Sequence, residues 1–475
     1  MFKKITAVMA AALMALGPTA ALESFAVAGD SFDTATFIEL NTQRTDNIAT
    51  RTEEDFYRFS LDTAGVVSIE FSHDYADTPD DTWLLTLYNY EQGQIISRYF
   101  KGSERNAVKI CDLGLDKGDY YIRVQAIHHT FDQYTWSDVD YRVKVNFTAA
   151  NDWEKEFNDD FDKATKIPVN QKINGTVRTS SEDDYYRFSL DKAGVVSIKF
   201  SHDYVDTPED TWLLTLYNYE QGQMISRYFK GSEKNAVKIC DLGLDKGDYY
   251  IRVQAIHHTF DQYTWSDVDY RVKVNFTAAN DWEKEFNDDF DKATVIGLNK
   301  NYNGTVDETN DSDYYRFTLD KQQQITFGFK HGNADNPDNT WAVTVYDFNR
   351  NELGSTAYKG SSTKSDYSLK LNLPKGDYFV KVSPDRKQSE LPYILRIRDP
   401  KDKEGIGGDI MTGDANGDEQ INVSDIAVIA SFIKGIKALD TDGQSAADVN
   451  ADSKINVTDI AMIAAHIKGI KALPQ

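Results

Sequence analysis

A unit of 129 residues occurs three times in this 475-residue chain, and the repeat constrains the fold more than any other feature. The motif around Tyr57, Asp-Phe-Tyr-Arg-Phe, returns around Tyr186 and Tyr315 as Asp-Tyr-Tyr-Arg-Phe, each time 129 residues later. The first two copies are nearly identical, whereas the third has diverged. A unit of this length is a whole domain rather than one turn of a solenoid. The repeat therefore predicts three tandem domains of one fold.

Within each repeat, the periodicity predicts β-strands. Apolar and polar residues alternate over 67–71, which is typical of a strand with one buried face. Similar strands begin at Trp83 and follow Gly118, and they recur in the later repeats, where Trp212 and Trp341 join Trp83 as predicted core residues. Short strands separated by Gly and Asp turns favour an antiparallel sandwich. We predict a mainly β chain, with antiparallel β-sandwiches over 29–148, 149–277 and 278–399.

The C-terminal region contains two loops, 414–425 and 448–459, that are 34 residues apart. Asp or Asn stands at loop positions 1, 3, 5, 9 and 12, the spacing with which a short loop surrounds a hard cation such as calcium. Each loop leads into a predicted helix with an apolar face, Ile426, Ile429, Ile433 and Ile436 in the first and Ile460, Ile463, Ile467 and Ile470 in the second. The predicted calcium ligands are Asp414, Asn416, Asp418, Gln420, Asn422 and Asp425, then Asp448, Asn450, Asp452, Lys454, Asn456 and Asp459, with Gln420 and Lys454 binding through the backbone.

Two such loop–helix units in tandem resemble a dockerin of the type I kind, the small helical module that plugs cellulosomal subunits into cohesins on a scaffold. The resemblance covers 412–475, and it departs from the usual loop at position 6, where Glu419 and Ser453 replace glycine. It implies cohesin contacts at loop positions 10 and 11 and on the following helix, namely Val423, Ser424, Ala430, Ser431, Val457, Thr458, Ala464 and Ala465. Because the two copies match, either could dock after a half-turn of the module.

The repeats carry a second resemblance. Asp-Tyr-Tyr-Arg-Phe, Gly-Asp-Tyr-Tyr-Ile-Arg-Val and Asp-Tyr-Arg-Val-Lys-Val look like motifs of the bacterial pre-peptidase C-terminal domain and of the collagen-binding domains of clostridial collagenases. The resemblance implies small jelly-roll-like sandwiches, appended to secreted enzymes, that bind protein or polysaccharide rather than catalyse.

The collagen-binding type also implies calcium at the acidic linkers before the second and third repeats. Carried over, its ligands are Glu154, Glu156, Asn158, Asp159 and Asp184, then Glu283, Glu285, Asn287, Asp288 and Asp313. A second carboxylate expected before the tyrosine pair is absent, because Ser181 and Asn310 stand there, and the first repeat lacks the acidic linker. The alternative is a solvated acidic linker without metal.

Charge and targeting signals indicate an exported protein. The formal net charge of −24 argues against nucleic acid and anionic membranes as partners. Residues 1–28 have the basic start, apolar run and small-residue end of a secretory signal peptide, and no later segment is apolar enough to span a membrane. Cys111 and Cys240 are one period apart and match Leu369, which predicts two buried free thiols rather than a disulfide. Residues 400–411 read as a flexible linker.

Two further features of the repeats bear on catalysis and ligand binding. A stretch beginning at His73 recurs at His202 and His331, but no nucleophile motif accompanies it, so we predict a non-catalytic protein. An aromatic loop at 128–138, copied at 257–267, is a natural platform for sugar rings or proline-rich protein, or else it folds back and caps the sandwich. Its candidate ligand-binding residues are Phe131, Tyr134, Trp136, Phe260, Tyr263 and Trp265.

Together these features predict a secreted, extracellular, non-catalytic cellulosome subunit that requires calcium. The dockerin would anchor it to a scaffold cohesin, and the sandwiches would bind plant polysaccharide or fibrous protein. Two alternatives remain open from the sequence: a structural spacer or adhesion protein without a specific ligand, and a divergent cellulosomal hydrolase.

Overall fold

The computed structural model describes residues 29–473, with short gaps. These fall at 105–106, 111, 130–132, 208, 234–236, 240, 258–262, 307–310, 335, 363–365, 388, 403–411, 417–419, 438, 440, 451 and 453, and for 441, 442 and 445 only the backbone is described. The predicted signal peptide, the two cysteines, Phe131, Phe260, Asp418 and most of the 400–411 linker therefore lie outside the described residues.

In the first repeat, two β-sheets enclose a hydrophobic core. The strands are β1 (Thr36–Phe37), β2 (Gln43–Asp46), β3 (Glu54–Leu61), β4 (Gly65–His73), β5 (Asp81–Asn89), β6 (Gln94–Lys101), β7 (Val108–Lys109), β8 (Leu113–Leu115), β9 (Gly118–His128), β10 (Tyr134–Thr135) and β11 (Tyr141–Ala149). One sheet has the order β1-β3-β9-β5-β6 with β10 on β9, and the other has β2-β11-β4-β7 with β8 on β4. All pairs are antiparallel except β1 with β3.

The second repeat has the same topology. Its strands are β12 (Thr165–Lys166), β13 (Lys172–Gly175), β14 (Asp183–Leu190), β15 (Gly194–His202), β16 (Asp210–Asn218), β17 (Gln223–Lys230), β18 (Val237–Lys238), β19 (Leu242–Leu244), β20 (Gly247–His257), β21 (Tyr263–Thr264) and β22 (Tyr270–Ala278). The sheets are β12-β14-β20-β16-β17, with β21 on β20, and β13-β22-β15-β18, with β19 on β15.

The third repeat forms the same kind of sandwich from fewer described strands. Its strands are β23 (Thr294–Val295), β24 (Asn301–Gly304), β25 (Asp313–Leu319), β26 (Gln323–His331), β27 (Asn339–Asp347), β28 (Glu352–Lys359), β29 (Asp366–Leu373), β30 (Gly376–Pro384) and β31 (Tyr393–Arg398). They form the sheets β23-β25-β30-β27-β28 and β24-β31-β26-β29. The prediction of a mainly β chain built from antiparallel sheets is confirmed, whereas the boundaries at 148, 277 and 399 stay a prediction.

The tryptophan near the start of the third long strand of each repeat is a core residue, as predicted. Trp83, Trp212 and Trp341 are fully buried. The recurring histidine packs against the tryptophan, with ring centroids 4.3 Å apart for His73 and Trp83, and its Nδ1 is 2.9 Å from the Asp74 carbonyl oxygen. This contact favours a structural role for the histidine stretch.

The C-terminal module, residues 412–473, contains three helices: α1 (Val423–Ile433), α2 (Thr441–Ala447) and α3 (Val457–Ile467). Ile429 and Ile463 are fully buried between them. The predicted apolar faces were too long, because Ile436 and Ile470 are 74% exposed. Helices α1 and α3 each end before a glycine in the left-handed conformation, Gly435 at φ +67° and Gly469 at φ +68°, which terminates the helical hydrogen bonding. Helix α2 was not predicted.

Within the described part of the chain, no helix is both long and apolar enough to cross a membrane.

Candidate functional site

The first loop of the C-terminal module is organised by Asp425, which is fully buried. One of its carboxylate oxygens accepts from the Asn422 N–H at 2.8 Å, and the other accepts from the Asn416 N–H at 3.2 Å. Asn422 in turn caps α1 by accepting from the Ser424 N–H, so the two side chains form a capping box. The last loop position is thereby held at the helix N-terminus and directed back toward the loop.

The second loop repeats this arrangement around Asp459. Its Oδ2 accepts from the Asn456 N–H at 2.9 Å, while its Oδ1 is buried without a hydrogen-bond partner. Asp452 closes the loop through backbone bonds to the side chains of Asp448 and Asn450, at 3.1 Å and 3.0 Å. An orphaned buried carboxylate oxygen beside a loop of oxygen donors fits a hard cation.

In each sandwich, a pair of buried tyrosines meets a buried aspartate. In the second repeat the Tyr270 hydroxyl donates to Asp184 at 2.6 Å, and the Tyr186 hydroxyl donates to Glu154 at 2.6 Å. The pair therefore joins the sandwich to the linker that precedes it.

The linkers are extended and pass between neighbouring repeats. The Glu154 N–H donates to the Asn174 carbonyl at 2.9 Å, and the Glu156 N–H donates to the Gly114 carbonyl of the first repeat at 3.0 Å. Alternate residues of an extended segment share one side, so Glu154, Glu156 and Asn158 point together and are buried. The linker of the third repeat has the same bonds, from Glu283 to Asn303 and from Glu285 to Gly243, both at 2.9 Å.

These linkers bring the predicted carboxylates together. Ligand atoms of Glu283, Glu285 and Asp313 all lie within 4.8 Å of one another, as do those of Glu154, Glu156 and Asp184. Burial raises the pKa of Glu154 to about 7, and burial together with neighbouring carboxylates raises the pKa of Glu283 and Asp313 well above their ordinary values. Such crowding disfavours ionised carboxylates unless a cation accompanies them.

The third-repeat cluster offers further oxygens to a cation. Asp313 Oδ1, Asn287 Oδ1 and Thr305 Oγ1 are buried and have no hydrogen-bond partner. These residues fit a calcium ion, which takes six to eight oxygen ligands. Asp288, which was predicted as a ligand, is exposed and lies outside the carboxylate group.

The second-repeat cluster has the same kind of orphaned oxygens, on Asn158, Thr176 and Asp184, but it also contains an arginine. Arg178 is 4% exposed, and its Nε is 3.1 Å from Glu156 Oε1. Its guanidinium also pairs with Glu182 and lies 3.6 Å from Asp159 Oδ1. Neither Arg178 nor Glu182 was among the predicted site residues.

The expectation that a second carboxylate is absent was therefore wrong. Glu182 supplies it in the second repeat, one residue after Ser181, and groups with Glu156 and Asp159. In the third repeat the acid at the equivalent position is Asp311, whose charge raises the pKa of Asp313. Acidic residues at one repeat position, Glu53, Glu182 and Asp311, are the signal that would have found it.

In the first repeat, Asp46 stands where the later repeats have glycine, and it takes the place of the linker glutamate. The Tyr57 hydroxyl donates to Asp46 at 3.2 Å, and the Tyr141 hydroxyl donates to Asp55 at 2.5 Å. Arg44 lies 3.8 Å from Asp46. The tyrosine–carboxylate centre thus persists in all three repeats, with different partners.

Comparison with known families decides what the C-terminal module is. Residues 412–468 match the family model described as Dockerin type I domain. Residues 412–468 are a type I dockerin domain.

The dockerin is not the only part of the chain with relatives. Collagenase ColT from Clostridium tetani (strain Massachusetts / E88) is 28% identical over 240 residues, which is 48% of this chain and 22% of the relative. Collagenase ColA from Clostridium perfringens (strain 13 / Type A) is 23% identical over 353 residues, 71% of this chain and 29% of the relative. The chain therefore spans less than a third of the length of either collagenase.

Among solved structures, the pre-peptidase C-terminal domain of a collagenase from Bacillus anthracis aligns with 22% of this chain and 93% of its own length. The alignment has 17% identity and a TM-score of 0.19.

The dockerin presents matching surfaces on α1 and α3. Val423 and Val457, the first residues of the two helices, are 69% and 71% exposed. Ser424 and Thr458 beside them are exposed, while Ala430, Ser431, Ala464 and Ala465 are half-buried further along the helices. The eight predicted cohesin contacts thus form two equivalent patches, one on each helix.

The aromatic loops of the first two sandwiches are arranged differently from a flat ligand platform. Trp136 and Trp265 are half-buried and pack against the hydrophobic cores. Tyr134 and Tyr263 lie beside His128 and His257, with ring centroids 4.7 Å apart in each repeat, and Tyr263 is 39% exposed. The tryptophan contacts favour the interpretation that the loop caps the sandwich, and ligand contact by the tyrosines stays a prediction.

Proposed function

We propose that this protein is a secreted, non-catalytic subunit of a cellulosome-type assembly, anchored to a scaffold cohesin by its dockerin. The observation that carries the proposal is the pair of equivalent exposed patches headed by Val423 and Val457 on α1 and α3. An exposed apolar residue flanked by small side chains suits the dry centre of a protein interface. Because the patches match, the cohesin could engage either one.

The test is cohesin binding by calorimetry, with aspartate introduced into one patch at a time. Val423→Asp with Ser424→Asp blocks the first patch, and Val457→Asp with Thr458→Asp blocks the second. Each double substitution should leave affinity within about tenfold, whereas all four together should lower it by more than about 100-fold, since a buried unpaired charge costs several kcal/mol. Loss of binding on blocking either patch alone would refute the two-mode arrangement.

A control separates surface charge from docking. Tyr90 is 66% exposed on the first sandwich, far along the chain from the dockerin, so Tyr90→Asp should leave cohesin affinity unchanged. If blocking both patches also leaves the affinity unchanged, the docking face lies elsewhere on the dockerin.

Calcium is the cofactor that the oxygen-lined sites favour. We assign it to the two dockerin loops, where Asp459 Oδ1 is buried and unpartnered, and to the third-repeat cluster around Glu283 and Asp313. In the loops, calcium would tie the last loop position to the N-terminus of the helix it begins.

For the sandwiches, a fibrous protein ligand is favoured over polysaccharide because the two relatives named above are collagenases. Cosedimentation of the full chain with insoluble collagen and with insoluble plant polysaccharides tests this choice. Tyr134→Ala with Tyr263→Ala should weaken sedimentation if the loop tyrosines contact the ligand. Absence of binding to either material would favour the spacer role, and hydrolysis that copurifies with the chain would favour the divergent hydrolase.

A further inference from the structure

The acidic cluster before the second sandwich contains its own cation. Arg178 follows β13 and is 4% exposed, and its guanidinium faces three carboxylates. Glu156 lies 3.1 Å from Nε, Asp159 lies 3.6 Å from Nη2, and Glu182 also pairs with Nη2. A planar guanidinium with five fixed N–H donors is suited to several carboxylates at once.

The same guanidinium reaches across to the first sandwich. Its Nη1 donates to the backbone carbonyl of Ile95 in β6 at 3.2 Å. It also lies 5.8 Å from the centre of the Phe157 ring in the linker. Arg178 therefore contacts the second sandwich, the linker and the first sandwich together.

The third repeat keeps the carboxylates but not the arginine. The residue one period after Arg178 is Asp307, which lies outside the described residues. Glu283, Glu285 and Asp313 are nonetheless gathered within 4.8 Å, and Asp313 Oδ1 and Asn287 Oδ1 are buried without partners. Where the second repeat places a base, the third repeat supplies another acid.

We propose that Arg178 is a built-in replacement for a divalent cation, which makes the junction between the first and second sandwiches independent of metal. The junction between the second and third sandwiches, by contrast, takes a divalent cation through Glu283, Glu285 and Asp313. The metal site at this second junction rests on the proposed calcium site of the third repeat. The role of Arg178 at the first junction rests only on the ion pairs of that residue.

The two clusters differ in the guanidinium and not in their orphaned oxygens, because Asn158 Oδ1 and Asp184 Oδ1 are also buried without hydrogen-bond partners. Glu156 already directs Oε1 at the guanidinium, and a divalent ion there would sit beside a fixed positive charge. Conversely, a buried group of carboxylates without any cation carries a large desolvation and repulsion cost. One cation in each cluster offsets that cost. In the second repeat the cation is the guanidinium of Arg178, which is part of the chain, and in the third repeat it is an exchangeable metal ion.

The consequence is a chain with one permanent and one calcium-dependent junction. Both linkers use the same backbone bonds to the preceding sandwich, from Glu156 to Gly114 and from Glu285 to Gly243. Calcium would therefore control the order of the linker before the third sandwich, residues 282–288, and leave the linker before the second sandwich, residues 153–159, unchanged.

Hydrogen–deuterium exchange of the full chain, in calcium and in chelator, tests this on segments 153–159 and 282–288. In the wild type, segment 282–288 should exchange faster in chelator, whereas segment 153–159 should exchange at the same rate in both conditions. A calcium response of 153–159 equal to that of 282–288 would overturn the assignment of Arg178. No calcium response at 282–288 would instead count against the proposed third-repeat calcium site and leave Arg178 to be judged by its variants.

Substitution of Arg178 supplies the second arm. In Arg178→Met, segment 153–159 should exchange on the order of 100-fold faster in chelator, and calcium should restore protection, with one more calcium bound per chain than in the wild type. Arg178→Lys keeps the charge and should remain insensitive to calcium. If Arg178→Met stays protected in chelator, the inference is wrong. If that variant does not fold in either condition, the wild type and the lysine variant decide, because calcium sensitivity of segment 153–159 in either protein contradicts the proposal.

Discussion

At the scale of single residues, two glycines allow the backbone of a linker to lie directly against the preceding sandwich. Gly243 lies in β19, and a Cβ there would overlap the Glu283 carbonyl oxygen. A Cβ on Gly114, in β8, would likewise overlap the Glu154 carbonyl oxygen. In the third repeat, which no acidic linker of this kind follows, the equivalent residue is Asn372. Glycine therefore marks the strands that a linker crosses.

We expect Gly243→Ala to destabilise the junction between the second and third sandwiches by about 1–3 kcal/mol, because backbone must move to admit the methyl group. Chemical denaturation of the full chain, with the unfolding of the third repeat as the readout, measures the change in its free energy of unfolding. Gly297→Ala is the control, since its Cβ would come no closer than 3.7 Å to the Tyr302 hydroxyl. Equal effects of the two substitutions would contradict the close approach.

Asp55 makes the first repeat sensitive to pH. Burial raises its pKa from 3.8 to about 7, outweighing the hydrogen bond from Tyr141, which lowers it. The folded state then holds a proton that the unfolded state releases, so the contribution of Asp55 to the stability of the first repeat is greatest below about pH 4 and is lost as the pH rises through 7. Between pH 5 and pH 8 the loss should be about 3 kcal/mol.

Calorimetry of wild type and Asp55→Asn at several pH values measures this loss. The first-repeat transition of the wild type should fall with rising pH, and the asparagine variant should lack that part of the fall. If both proteins show the same pH dependence, Asp55 is not the titrating group.

At the scale of elements, the dockerin helices depend on side chains with two roles. Asp425 and Asp459 complete the capping boxes of α1 and α3 and also occupy the last position of their loops. The strands of the sandwiches, by contrast, are stabilised by apolar residues that alternate along them, such as Ile122 and Val124 in β9. Removal of metal should therefore affect the helices before the sheets.

Chelation of calcium should speed hydrogen exchange in α1 and α3, because bound metal stabilises only the folded module. Asp459→Asn should require more calcium to protect α3, by at least about tenfold, since it removes a charged ligand at loop position 12. Val457→Ala, at a 71% exposed position, is the matched control and should keep the wild-type calcium requirement. Unchanged exchange of both helices in excess chelator would refute the loop sites.

At the scale of the whole molecule, neighbouring sandwiches are joined by ion pairs of very different burial. Arg98 and Asp267 lie 3.0 Å apart with side chains 28% and 45% exposed, and Arg227 pairs with Glu390 at a similarly exposed position. Exposed pairs are screened by water and salt and contribute little. The buried contacts of Arg178 should therefore dominate the first junction.

We expect Arg227→Gln to change the free energy of unfolding by less than about 1 kcal/mol and to leave the small-angle scattering profile of the chain unchanged. Arg178→Met in chelator is the comparison, and it should increase the radius of gyration by loosening the first junction. A larger change with Arg227→Gln would mean that the surface pairs set the arrangement of the sandwiches.

Much of this architecture followed from local pattern. Period-two alternation located strands such as β4, and the matched loop spacing located α1 and α3. The ends of these helices were missed because the isoleucines at 436 and 470 continue the apolar pattern beyond a left-handed glycine. Helix α2 was missed because its seven residues, Thr-Asp-Gly-Gln-Ser-Ala-Ala, show little apolar periodicity.

The sequence by itself determined the three repeats, the strands and the dockerin, because repetition, alternation and loop spacing are properties of neighbouring residues. Only the tertiary structure decided which charges meet. Glu156 and Arg178 belong to a linker and to the end of a strand, and nothing in their spacing indicates that one is aimed at the other. Their encounter depends on how the linker crosses the preceding sheet, and burial at that crossing disfavours ionised carboxylates that have no positive charge beside them.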